Sequence, residues 1–279
     1  MANYILVMDQ GTTGSRGVIY DEKGKIVAFG SANLEGIKQS IGLLEQDLNE
    51  YFDGEYTVLK AFTSNKIIEL LKERHDYIIP HLSKALFNLV NQGYEEVIIQ
   101  PLHIMSTSDI KRIEEVVDEY KYSMKRIVVC KTLFSNEEEV LIKESKEIAN
   151  IICDDSEKSD ILLVGHGSKK NSNKIYDIIA ESVREKCNKR VYLATLEGEK
   201  TLDLAIEEIL KDDTKKIVLK SLFIIPGKHV IDDILNSNDS WSEKLKSKGI
   251  EITIGKKSLL QYEKIREMYI KRINKIIES

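Results

Sequence analysis

The chain of 279 residues carries 41 lysines and arginines against 46 aspartates and glutamates, a formal net charge of −5. With 42% hydrophobic and 31% charged residues it has a globular composition, enough for one large domain or two modest ones, and an extended disordered chain is excluded. The mild acidity and the lack of a long basic run argue against a nucleic-acid partner, and no apolar stretch approaches the ~20 residues that a membrane helix needs. The opening MANYILVMDQGTTG holds only a short apolar run and no basic leader, so it does not read as a secretion signal. Cys130, Cys153 and Cys187 are widely spaced with no CxxC, which predicts buried or incidental thiols in a reducing cytoplasm, not a disulfide frame or a zinc site. Self-association into a homo-oligomer is left open by this composition.

Short apolar strands alternate with helical periodicity, the pattern of an α/β fold with parallel strands. In chain order, residues 25–29 form the first candidate strand. Ile37, Ile41, Leu44 and Leu48 then recur at steps of four, three and four, one apolar face of a helix. Strands at 57–63 and 96–105 follow, then a helix on Ile113, Val116, Val117 and Tyr120, then a strand at 126–133. The acidic CDDSEKS at 153–159 is the candidate connection between halves. Beyond it lie strands at 160–164, 190–196, 215–225 and 251–255, a helix on Leu202, Ala205, Ile206 and Ile209, and a last helix from about 260 to 277.

The halves resemble each other. IVAFGSAN at 26–33 can be laid over LLVGHGSKKN at 162–171, and VIIQPLHIMSTSDI at 97–110 over IVLKSLFIIPGKHVIDDI at 217–234. Each half is then a unit of alternating strands and helices with a glycine turn after its first strand, and duplication of one α/β unit is the expectation.

Of five histidines, His75 and His81 flank a loop around Pro80 and read as surface residues. The other three each close a strand: His103 in VIIQPLHI, His166 in DILLVGHG and His229 after VLKSLFIIPGKH. Glu197 ends RVYLATLE on the same rim. Ligands of open α/β sheets bind beyond the carboxyl ends of the strands, where loops converge. His166, Glu197 and His229 stand 31 and 32 residues apart, about one βα unit each, so successive crossovers could each deliver one ligand for a borderline transition metal. The alternative is that His166 caps a helix and His229 is an incidental loop residue. Gly165 and Gly167 allow a tight turn that projects the imidazole, and Ser168 opens a helix whose N–H groups could receive a carboxylate. GHGS is too short for a phosphate loop and lacks its lysine pattern.

AFTSNKII at 61–68, QPLHI at 100–104, GHGS at 165–168, the Glu197 segment, and GKHVIDDI at 227–234 followed by DSW resemble the anaerobic cobalt chelatases, in order, over roughly nine-tenths of the chain. That resemblance implies a class II chelatase (ferrochelatase-like) architecture of two similar Rossmann-like halves with parallel sheets. It implies ATP-independent insertion of Co2+ into sirohydrochlorin or precorrin-2 in anaerobic cobalamin biosynthesis, by a cytoplasmic lyase. Its metal site maps onto His166, Glu197 and His229, and its cleft-lining histidine onto His103. Ser168 and Lys228, with Lys169 and Lys170, lie beside the histidine loops as partners for the carboxylates of the substrate. Ni2+ or Fe2+ as the metal, or a non-catalytic tetrapyrrole or metal carrier, are the alternatives.

Residues 1–24 precede this pattern. YILVMDQGTTGSRGVIYDEKGKIVA resembles the start of glycerol kinase, with Asp9, Gly11, Thr12 and Thr13 on its phosphate-approaching turn. The two lobes and the downstream base of such a kinase cannot fit in the rest of the chain. The expected division is therefore an N-terminal extension at 1–24, a non-catalytic hairpin that adds strands to a sheet edge, an α/β half at 25–156, and a second half at 157–279 that carries the metal site.

Overall fold

The computed structural model describes residues 3–9, 34–106, 108–154, 159–167, 173–225, 232–236, 239–255 and 257–279. Its elements begin with β1 (Asn3–Asp9), α1 (Leu34–Tyr51), β2 (Tyr56–Phe62), α2 (Asn65–His75), α3 (Leu82–Asn91), β3 (Glu96–Leu102), α4 (Ser108–Tyr120), β4 (Arg126–Val129) and α5 (Glu138–Asp154). They continue with β5 (Asp160–Gly167), α6 (Asn173–Lys186), β6 (Val191–Glu197), α7 (Leu202–Lys211) and β7 (Lys216–Ser221). A π-helical turn at Asp232–Asn236, α8 (Trp241–Ser247), β8 (Glu251–Ile254), a 3-10 turn at Leu259–Gln261 and α9 (Glu263–Ile277) complete them. The expected α/β alternation holds, because parallel strands can be joined only through crossovers long enough for a helix. Among the described residues no helix is long and apolar enough to cross a membrane.

Two compact units result, the first holding β1, Ile37–Asn136 and Glu263–Ser279. Its sheet runs β2-β1-β3-β4, all parallel. Helices α3 and α4 bury Leu82, Leu86, Ile110 and Ile113 against Ala61, Val97 and Ile99 of the sheet, each large aliphatic contributing about 1.5–3 kcal/mol. Helix α9 packs here through Ile265, Tyr269 and Ile273. Arg266 pairs with Asp47 of α1, and Arg272 Nη2 donates to the Leu133 carbonyl at 2.6 Å. The division expected at 157–279 is corrected at this end, since the last helix belongs to the first unit.

The N-terminal extension is corrected too. Both edges of β1 are taken by parallel neighbours, Leu6 standing opposite Leu59 of β2 and Ile99 of β3. It is an inner strand, neither an edge addition nor one arm of an antiparallel hairpin within the sheet. YILVM has the continuous apolar run that inner parallel strands show, because helices cover both faces. The candidate strand at 25–29 and the segment RGVIY lie outside the described residues.

The second unit contains Glu137–Tyr262. Its sheet, β6-β5-β7-β8, repeats the order of the first, again all parallel. Leu162, Val164, Ala194, Ile206, Leu219 and Trp241 form its core. The internal repeat extends to single hydrogen bonds. The His103 carbonyl after β3 accepts from Leu133 N, and the Phe223 carbonyl after β7 accepts from Leu259 N, both at 2.9 Å. His103 and Phe223 are thus equivalent positions, as the overlay of 97–110 on 217–234 requires.

The cysteines depart from expectation. Cys153 near the end of α5 and Cys187 just past α6 form a disulfide, with Cα atoms 5.7 Å apart. Their 34-residue separation carries no signal of pairing, and only the packing of α5 on α6 brings them together. Cys130 is a buried free thiol. His81 also differs from a surface residue: half-buried, it caps α3, its Nδ1 accepting from Ser83 N at 3.2 Å while Nε2 meets the Thr63 carbonyl.

Candidate metal site at the β5–β6 rim

Strand β5 runs three residues beyond its apolar stretch, through Gly165, His166 and Gly167, and both glycines are demanded by their surroundings. At Gly165 a Cβ would collide with the Tyr176 ring of α6, Cδ1 lying 2.8 Å from its position. At Gly167 a Cβ would overlap the Glu197 carbonyl oxygen and come within 2.7 Å of Thr195 Cβ. Gly167 also has φ +72°, in the left-handed region where an L side chain is strained. The motif Gly-His-Gly therefore seats the backbone of β5 hard against α6 on one face and β6 at one edge.

The pleat sends His166 to the face opposite Gly165. There the half-buried imidazole meets the Phe223 ring edge-on, with centroids 6.3 Å apart and planes at 70°. Its Nδ1 lies 3.3 Å from the Gly167 carbonyl oxygen. A carbonyl only accepts, so this contact favours the Nδ1–H tautomer, which leaves the ring lone pair on Nε2.

Glu197 is the last residue of β6, paired in register with Gly167, and its side chain is exposed. Thr195 shapes the turn behind it. Its N–H donates to the Lys200 carbonyl at 2.7 Å and its Oγ1 to the Glu197 carbonyl at 2.8 Å, while Gly198 takes φ +94°. Lys200 Nζ reaches Asp177 of α6 at 2.8 Å, which ties the turn to the helix that follows the histidine loop. His166 and Glu197 thus end neighbouring strands one register step apart, on the same carboxyl-end rim.

His229, Ser168 and Lys228, and with them Lys169 and Lys170, lie outside the described residues. Among the described residues no three His, Cys, Asp or Glu side chains group as a metal site. His103 belongs to the first unit and is 3% exposed, so as packed it offers a ligand almost no surface. Asp9, of the kinase-like turn, ends an inner strand, while Gly11, Thr12 and Thr13 fall outside the described residues.

Tyr176 and Thr195 stand in no motif that marks them in the sequence. Tyr176 is 2% exposed, and its hydroxyl hydrogen-bonds the backbone of Gly167 and His166. Burial pushes its phenol up from the ordinary value, and those backbone bonds oppose the shift. The signal available was the pair of glycines around His166, which require something large to be packed against them.

Comparison with known proteins adds the family. The cobalt chelatase (CbiK) family model matches residues 25–278. The sirohydrochlorin cobaltochelatase of Salmonella typhimurium is 23% identical over 254 residues, covering 90% of this chain and 95% of the relative. The sirohydrochlorin chelatase SirB from Bacillus subtilis subspecies spizizenii, in complex with cobalt, superposes with a TM-score of 0.59 at 15% identity, covering 100% of this chain and 96% of SirB. The N-terminal region is similar to the glycerol kinase of Beutenbergia cavernae, 48% identical over 50 residues but only 18% of this chain and 10% of the kinase.

Proposed function

Because the chain belongs to the cobalt chelatase (CbiK) family, we propose that it inserts Co2+ into sirohydrochlorin or precorrin-2, without ATP, as a step of anaerobic cobalamin biosynthesis. The observation that carries the reading is the family match along nine-tenths of the chain, with His166 and Glu197 ending the neighbouring strands β5 and β6 on one rim. The metal is a substrate here. His166 and His229 supply imidazole nitrogens and Glu197 a carboxylate oxygen, a donor set suited to Co2+, and three protein ligands leave coordination positions for the macrocycle nitrogens. Insertion exchanges one Co2+ for two pyrrole protons, so charge balances and no phosphoryl donor enters. Glu197 or one of the histidines takes those protons as the metal–nitrogen bonds form.

The carboxylates of the macrocycle fall to Ser168 and Lys228, next to the two histidines in sequence. A cytoplasmic location fits a biosynthetic substrate and is part of the same reading. The test is direct: purified protein, sirohydrochlorin and Co2+ without ATP should shift the absorption spectrum of the macrocycle. Parallel reactions with Ni2+ and Fe2+ rank the metals, and a bound but spectrally unchanged macrocycle would identify a carrier instead.

A further inference from the structure

We propose that Tyr176 is the positioning residue of this metal site, holding His166 and Glu197 in fixed relation through the backbone between them. The inference rests on His166 being a cobalt ligand and goes beyond it by naming what orients that ligand. Tyr176 stands in the first turns of α6, with its ring buried where a side chain at 165 would otherwise lie. Its hydroxyl is bonded to the backbone of both His166 and Gly167. Gly167 in turn is seated against the Glu197 carbonyl and Thr195, whose Oγ1 donates to that same carbonyl. One contiguous chain of contacts therefore runs from the Tyr176 ring through residues 165–167 to Glu197.

The consequence is specific. A tyrosine that only filled space would be replaced by phenylalanine without effect on metal binding, since the ring is what fills the space. A tyrosine that orients the ligand loses that function with its hydroxyl, because the 166–167 peptide is then held by the glycine packing alone. Outer partners of metal ligands typically account for about 10–100-fold in affinity.

The experiment uses the full chain and Co2+ alone, with affinity measured by competition against a chromophoric chelator and the visible spectrum of the bound ion recorded. Tyr176→Phe should weaken Co2+ binding about tenfold and alter that spectrum. Its melting temperature should move little and its sirohydrochlorin affinity should hold. His166→Ala in the same assay should lose binding outright. Wild-type affinity and spectrum in Tyr176→Phe, with His166→Ala impaired, would overturn the positioning role and leave the metal site standing. Unchanged binding in His166→Ala, or no Co2+ uptake by the wild type, would overturn both. Thr195→Val supplies a second, independent break in the same chain of contacts, and it should also weaken Co2+ binding if the bracket acts as one.

Discussion

Gly167 and Glu197 face each other across the parallel ladder of β5 and β6, so closely that the Glu197 carbonyl occupies the space a side chain at 167 would need. The carboxylate and the imidazole before Gly167 are therefore coupled through the main chain. Gly167→Ala should lose about 1–2 kcal/mol from the left-handed φ alone, with more from the overlap. Cobalt insertion should fall further than the loss of folded protein explains. Denaturant melts and turnover on the same sample separate the two effects, and wild-type turnover per folded molecule would show that the coupling is irrelevant.

Replacing the ligands tests the site itself. His166→Ala and Glu197→Gln each alter a half-buried or exposed residue at a strand end, so the fold should persist. Affinity for Co2+ should drop by more than the roughly 10–100-fold that losing an outer partner costs. His229→Ala is expected to behave alike. Near-normal turnover at limiting Co2+ in any one of the three would remove that residue from the ligand set.

The inner position of β1 makes the N-terminus structural. Leu6→Pro deletes a backbone N–H in a strand that is paired on both sides, and an unmet ladder partner costs ~1–3 kcal/mol before the ring's own clash. Chemical denaturation should show the loss. Were β1 dispensable, the substituted chain would melt as the wild type does.

Reduction of Cys153–Cys187 should destabilise the second unit by up to about 4 kcal/mol, the chain-entropy value for a loop of this length. Melting with and without reductant measures it. Unfolding the non-reduced protein should release a single thiol, Cys130.

Cys130 gives the pH-dependent prediction. Burial pushes its thiol from 9.0 up to about 12, partly opposed by the Arg272 charge. An acid whose folded value is raised favours the protonated fold, so its contribution is complete below about pH 9 and is lost as pH rises from there toward 12. Alkylation of the native protein at pH 8 should be slow and should accelerate only on unfolding. Fast native labelling would mean that the thiol is reached without opening the core.

By itself the sequence determined the strand–helix alternation, seven of the strands to within a few residues, and the duplicated pattern that makes His103 and Phe223 equivalents. Those features rest on local periodicity and on apolar runs, which any stretch of chain displays regardless of its neighbours. His166 and Glu197 were legible for the same reason, since each simply ends a strand. Tertiary structure alone decided that YILVM is an inner strand of the first sheet, because the choice among strand slots depends on which edges other segments leave open. It likewise decided that α9 returns to the first unit, that Cys153 meets Cys187, and that Tyr176 lies beneath the histidine. Each of these joins residues distant in sequence through side-chain packing, and no local pattern encodes a partner that only the folded neighbourhood brings within reach.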